Sequence, residues 1–154
     1  KCTNIVVHKY GCAKSIIPEL ISVNTVENTD YTAIIMEDLS DMQFEPLYEI
    51  WSNLDEDQKT NLSKEIWAAY FVLREGGFVH GDLCLGNIMV RADTKNGKWT
   101  VKFIDFDWAG NAGEVKYPFS LNTDLPWHPD IKPCVNILPE HDKDTLEKSF
   151  LDMF

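Results

Sequence analysis

The chain has 154 residues, 44% hydrophobic and 25% charged, an ordinary globular composition at the length of one domain. Its formal net charge of −11 argues against nucleic acid or an anionic membrane surface as a main partner, because both select clustered Lys and Arg. No run reaches membrane-spanning length and no signal peptide is visible, so an intracellular protein, cytoplasmic or nuclear, is expected.

Apolar positions at helical spacing run from Asn4 to Ile17, and Pro18 stops them, which predicts a helix. Glu19 to Val23 reads as a strand, Asn24 to Asp30 as a polar turn, and Tyr31 to Met36 as a second, buried strand. Phe44 to Trp51 is a short helix candidate. The strongest helix signal spans Glu56 to Glu75, with an apolar stripe of Leu62, Ile66, Ala69, Tyr70 and Leu73, and Gly76-Gly77 ends it. Phe78-Val79-His80 enters a tight loop. Asn87 to Arg91 and Trp99 to Ile104 read as two strands joined by a turn containing Asn96-Gly97, a hairpin signal. Asn111 to Pro139 is irregular, and a last helix runs from His141 to the end. The fold class expected is α+β. The cysteines Cys2, Cys12, Cys84 and Cys134 lack CxxC or zinc-site spacing and read as reduced thiols.

Acids flank the hairpin. Asp82 lies between the long helix and the first hairpin strand, Asn87 opens that strand five residues later, and Asp105 closes the second. A hairpin returns the chain to its start, so Asn87 and Asp105 should lie side by side at one end. Mg²⁺ takes hard oxygen ligands, keeps waters and shares its shell with substrate phosphates. Phosphoryl transfer needs such ligands and a carboxylate to orient or deprotonate the acceptor hydroxyl.

The run His80-Gly81-Asp82-Leu83-Cys84-Leu85-Gly86-Asn87 resembles the catalytic loop of the protein-kinase-like superfamily, and Asp105-Phe106-Asp107 resembles its DFG-type motif. The resemblance implies a kinase-like fold, with residues 1–37 a remnant of the N-lobe, 38–41 the hinge and 42–154 the C-lobe of a fragment. It makes Asp82 the catalytic base, assisted by Asn87, and gives Asn87 and Asp105 to Mg²⁺. Asp107, which stands where glycine is usual, is a second metal ligand or a turn residue. Ala33 to Leu39 is similar to the last N-lobe strand and hinge, with Met36 as gatekeeper and the Glu37 carbonyl and Leu39 amide on the adenine of ATP. Leu138-Pro139-Glu140 matches the end of an activation segment, and Asp142 the buried acid that braces the catalytic loop. Lys1 stands where a strand lysine would reach the phosphates, but no acid in the first helix would pair with it and no Gly-rich loop precedes it.

The departures narrow the likeness. Gly81 replaces the arginine that protein kinases carry between His and Asp, which argues against control by activation-loop phosphorylation. Cys84 stands where Ser/Thr kinases carry lysine. His-Gly-Asp with Asp-Phe-Asp is closer to aminoglycoside and choline kinase-like phosphotransferases, and the longer stretches are most similar to fungal kinase-like domains. The expected activity is transfer of the ATP γ-phosphoryl to a hydroxyl of a protein or small molecule; the alternative is a pseudokinase acting as a scaffold. His80 is expected to be scaffold rather than acid-base, Cys84 a loop residue, and His8, His128 and His141 structural. Trp108 and Trp127 are packing residues or walls of an acceptor pocket.

Overall fold

The computed structural model describes residues 4–29, 31–93, 97–122 and 127–151. In chain order the elements are α1 (Ile5–Ala13), β1 (Leu20–Thr25), β2 (Thr32–Met36), β3 (Glu45–Pro46), α2 (Leu47–Ile50), a 3₁₀ turn (Trp51–Asn53), α3 (Glu56–Glu75), β4 (Phe78–Val79), a second 3₁₀ turn (Leu85–Asn87), β5 (Ile88–Ala92), β6 (Trp99–Phe103), β7 (Gly110–Asn111) and α4 (Pro139–Leu151). The architecture is mixed helix and sheet, in three small antiparallel sheets ordered β1-β2, β3-β5-β6 and β4-β7.

Helix α3 organises the core. Asp55 and Gln58 form a reciprocal capping box at its start, with Asp55 Oδ1 accepting from the Gln58 N–H at 2.8 Å and Gln58 Oε1 from the Asp55 N–H at 3.0 Å. Its stripe of Leu62, Ile66, Ala69, Tyr70 and Leu73 is buried, as its periodicity predicts. The stripe packs with Leu47, Leu83, Ile88, Val101, Phe103, Phe106 and Leu146, so one core joins α3, the hairpin and α4. A second cluster, Val79, Tyr117, Leu121, Ile131 and Ile137, lies under the irregular segment that precedes α4.

Helix α1 ends four residues before the predicted Ile17. The reason is Ser15, whose φ of 61° turns the chain left-handed and sends Ile16 and Ile17 into the core. A Cβ on Gly11 would lie 2.1 Å from Ile17 Cδ1, so this return of the chain over the helix requires glycine. The Phe44–Trp51 helix is also corrected. Pro46, with φ −61° and ψ 133°, holds its backbone extended. Glu45 and Pro46 pair with Val90 and Met89, which leaves only Leu47–Ile50 and the 3₁₀ turn helical.

Strand β2 pairs with β1 from Leu20↔Met36 to Thr25↔Thr32, but it is not buried. Ile35 is 50% exposed and Met36 43%, because a two-strand ribbon is covered only where another layer packs on it. Asn87 lies in the 3₁₀ turn rather than in the strand, β6 ends one residue before Ile104, and α4 starts two residues before His141, with Pro139 at its first position. The hairpin turn is left-handed at Gly97, φ +68°; Asn96 lies outside the described residues. Asn111, predicted irregular, pairs with Phe78.

Candidate functional site

The site is built where α3 hands over to the hairpin. Gly77 turns left-handed at φ +78°, and β4 carries the chain to His80, which is fully buried. At Gly81 the φ is +85°, and a Cβ there would meet Ile137 Cδ1 at 2.9 Å and Trp108 Cβ at 3.0 Å. That close approach and the backbone angle explain glycine where an arginine would follow the histidine in a protein kinase.

Asp142, in the first turn of α4, reaches this loop. Its Oδ2 accepts from the His80 N–H at 2.7 Å and its Oδ1 from the Gly81 N–H at 2.8 Å. Burial pushes its carboxyl up, to about 7, against the pull of these two donors. Two parallel N–H···carboxylate bonds across 61 and 62 residues of sequence fix the loop's position on α4. His80 Nε2 lies 2.9 Å from the Ile104 carbonyl, and its Nδ1 3.3 Å from the Asp82 N–H. A carbonyl can only accept and an amide only donate, so the ring carries its proton on Nε2 and is neutral. Burial agrees, pulling its pKa down to about 4. His80 thus ties the loop before Asp82 to the residue before Asp105.

Asp82 and Asn87 meet directly. Asn87 Nδ2 donates to the Asp82 carbonyl at 2.8 Å and to its Oδ2 at 3.2 Å. These bonds orient the amide so that Oδ1 faces away from Asp82. The Asn87 carbonyl accepts from the Ile104 N–H at 3.0 Å, continuing the register Ile88↔Phe103, so the backbone sets Asn87 beside the segment that carries Asp105. Asp105 itself adopts φ 60°, a conformation Asp tolerates better than most residues. The turn leaves Asp105 exposed and sends Phe106 inward to pack 4.6 Å from the His80 ring. Asp107 follows, half-buried.

The oxygen donors of Asn87, Asp105 and Asp107 suit a hard cation. Among the described residues no group of three or more His, Cys, Asp and Glu forms a metal cage. Mg²⁺ needs none, since one or two carboxylates with water and phosphate oxygens complete its shell. Burial, and then the nearby Asp82 carboxylate, push the Cys84 thiol up, away from the thiolate a nucleophile requires. The rings of Trp108, Tyr117 and Trp127 meet edge-on or tilted with centroids within 6.5 Å of one another, and Trp127 Nε1 donates to the Asn122 carbonyl at 2.7 Å. His8 is buried, with Nε2 3.0 Å from the Pro18 carbonyl, and His141 Nδ1 accepts from the Leu138 N–H at 3.3 Å. His128 stands 5.6 Å from the His141 ring.

The segment after β2 is tied to its neighbours by backbone hydrogen bonds. The Glu37 N–H donates to the Glu19 carbonyl at 2.9 Å and the Leu39 carbonyl accepts from the Phe44 N–H at 3.0 Å. Met36 ends β2 exposed, and Leu39 is buried. Lys1 lies outside the described residues. The sequence reading missed Lys102: its ammonium is paired with the Glu37 carboxylate, and the residue is only 9% exposed. The signal was a lysine standing between Val101 and Phe103, two apolar residues at the buried end of the strand.

No family model matches the chain, and no curated protein does. Among solved structures the chain is similar to the Cydia pomonella granulovirus kinase PK-1, with a TM-score of 0.61 and 20% sequence identity over 82% of this chain and 44% of that one. It therefore spans less than half the length of that kinase. No helix among the described residues is long and apolar enough to cross a membrane. The mixed helix-and-sheet architecture and the likeness to a viral kinase together give this chain a kinase-like fold.

Proposed function

We propose that this chain is the nucleotide- and metal-binding part of an ATP- and Mg²⁺-dependent phosphotransferase that moves the γ-phosphoryl to a hydroxyl of a protein or a small molecule. The observation that carries the reading is the coupled placement of Asp82, Asn87 and Asp105: one amide bonds the carboxylate of Asp82, and its residue shares a backbone bond with the strand leading to Asp105. A plain structural loop has no need of an amide that bonds one carboxylate while its own residue is set beside the segment carrying a second.

In this reading Asp82 accepts a hydrogen bond from the acceptor hydroxyl and takes its proton as the new P–O bond forms and the bond from the γ-phosphorus to the β–γ bridging oxygen breaks, releasing ADP. The Asn87 amide N–H holds the Asp82 carboxylate in orientation, while its Oδ1 and the Asp105 carboxylate, with Asp107 beside them, would hold Mg²⁺. Bound there, Mg²⁺ supplies charge neutralisation for the β- and γ-phosphates. The Glu37 carbonyl and Leu39 amide are assigned to adenine; the hydrogen bonds given above use the Glu37 N–H and the Leu39 carbonyl, the two groups this role does not require. Positioning and electrostatics supply most of the rate.

One observation favours a second reading, a pseudokinase scaffold: α1 contains no acidic residue to pair with a phosphate-binding lysine. Calorimetry of ATP binding to the full-length protein, with and without Mg²⁺ and beside Asp105→Ala, decides between them. Mg²⁺-dependent binding that the variant loses is the result expected of the enzyme. Absence of binding under every condition would leave the scaffold.

A further inference from the structure

Lys102 sits on β6 opposite Met89, three residues before Asp105, where a strand lysine would ordinarily extend into water. Instead its side chain is folded into the protein. Nζ is paired with the Glu37 carboxylate, lies 3.4 Å from the Ile17 carbonyl and stands 5.7 Å from the centre of the Phe44 ring. Three segments therefore converge on one ammonium: the chain leaving α1, the segment leaving β2 and the segment entering β3. The backbone repeats the first of these ties, since the Phe103 N–H donates to the Ile16 carbonyl at 2.8 Å. Burial pushes the Glu37 carboxyl up, but Lys102 and the Glu19 backbone bond outweigh it and hold the group below its ordinary range, so the pair is ionic.

We propose that Lys102 is a positioning residue for nucleotide binding: by holding Glu37 against β6 it fixes the segment that carries the adenine-binding backbone groups relative to the Asn87–Asp105 metal pair. The inference rests on the nucleotide reading above. Three features support it. Both partners are largely withdrawn from water, so removing one leaves an uncompensated charge that must move to find solvent. A cavity of about 490 Å³, lined by Lys9, Cys12, Ser15, Glu19, Glu37 and Lys102 among others, adjoins the pair and gives the released segment room to shift rather than merely collapse. Finally, β1 and β2 are a ribbon whose side chains are mostly exposed, so packing alone constrains the Glu37 end weakly, and the ion pair is the specific link to the hairpin.

The test is calorimetry of the full-length protein with two probes, adenosine and ATP with Mg²⁺, and thermal melts in parallel. Adenosine carries no phosphate and therefore reads the adenine edge without the metal pair. Lys102→Met is expected to weaken both ligands by about tenfold, the scale of one lost positioning contact, and Glu37→Gln by less, because the amide oxygen still accepts from Lys102. The charge-swapped pair, Glu37→Lys with Lys102→Glu, should recover most of the adenosine affinity. If Lys102→Met weakens ATP but not adenosine, the lysine serves the phosphates and the proposal falls. It falls too if the melting temperature drops while both affinities stay unchanged, the mark of a merely structural pair. Should Lys102→Met not fold, Glu37→Gln and the swapped pair carry the same comparison. Absence of adenosine and ATP binding by the unaltered protein overturns the nucleotide reading, and this inference with it.

Discussion

The loop from His80 to Asn87 and the β1–β2 ribbon are both short, but they are held in opposite ways. The loop is fixed by side chains distant in sequence: Asp142 on its backbone N–H groups, His80 on the Ile104 carbonyl and Asn87 on Asp82. The ribbon is held by its own ladder, with most of its side chains in water, and by the Glu37–Lys102 pair at one end. The difference teaches where precision is built. Groups assigned to chemistry sit on a backbone determined several times over, whereas the ribbon whose end is proposed to meet the nucleotide is held by fewer side-chain ties.

The sharpest way to break that comparison is Asp142→Ala. It leaves two buried N–H groups without their acceptor, and urea denaturation should show a loss of about 3–5 kcal/mol. A loss below about 1 kcal/mol would mean that the loop does not depend on α4.

His80 gives the next largest effect, as a pH dependence. Its folded pKa of about 4 lies below the ordinary 6.5, so the unfolded chain binds the proton more readily. Its contribution is complete above pH 6.5 and is lost as pH falls toward 4, by about 3 kcal/mol. Asp142, with its carboxyl raised to about 7, works in the opposite sense, its contribution being lost as pH rises toward 7. The His80 share is therefore read as the difference between the unaltered protein and His80→Gln across that window. Equal slopes for the two would show that His80 is not held neutral.

Gly81→Ala sharpens the same contrast. It forces a Cβ against Ile137 and Trp108 at a positive φ, and a thermal melt should report about 1–3 kcal/mol of destabilisation. At the other extreme, Ile35→Thr on the exposed ribbon should change stability by less than about 0.5 kcal/mol. A larger loss there would show that the ribbon is covered in the full protein and that its exposure describes this chain alone.

Local physics made much of this legible in the sequence. The 20-residue α3 is legible to its end residues because a 3.6-residue apolar period and a glycine stop coincide in it, and the structure adds the Asp55–Gln58 capping box at its start. Asn96-Gly97 between two strand-like runs marks the hairpin, and the hairpin's return explains why Asn87 lies beside the segment that carries Asp105. Helix α1 was overextended because left-handed Ser15 carries no sequence mark, and β2 was placed inside because apolar β-branched residues do not announce whether a layer will cover them.

By itself, then, the sequence determined the elements with strong local periodicity and the placing of Asp82, Asn87 and Asp105 around one hairpin, since a period is local and two strands joined by a tight turn must return the chain to its start. Tertiary structure alone decided the neutral tautomer of His80, the turn at Gly81 packed under Ile137 and Trp108, and the pairing of Lys102 with Glu37. Each depends on a partner more than 20 residues away, whose distance and desolvation no local pattern encodes.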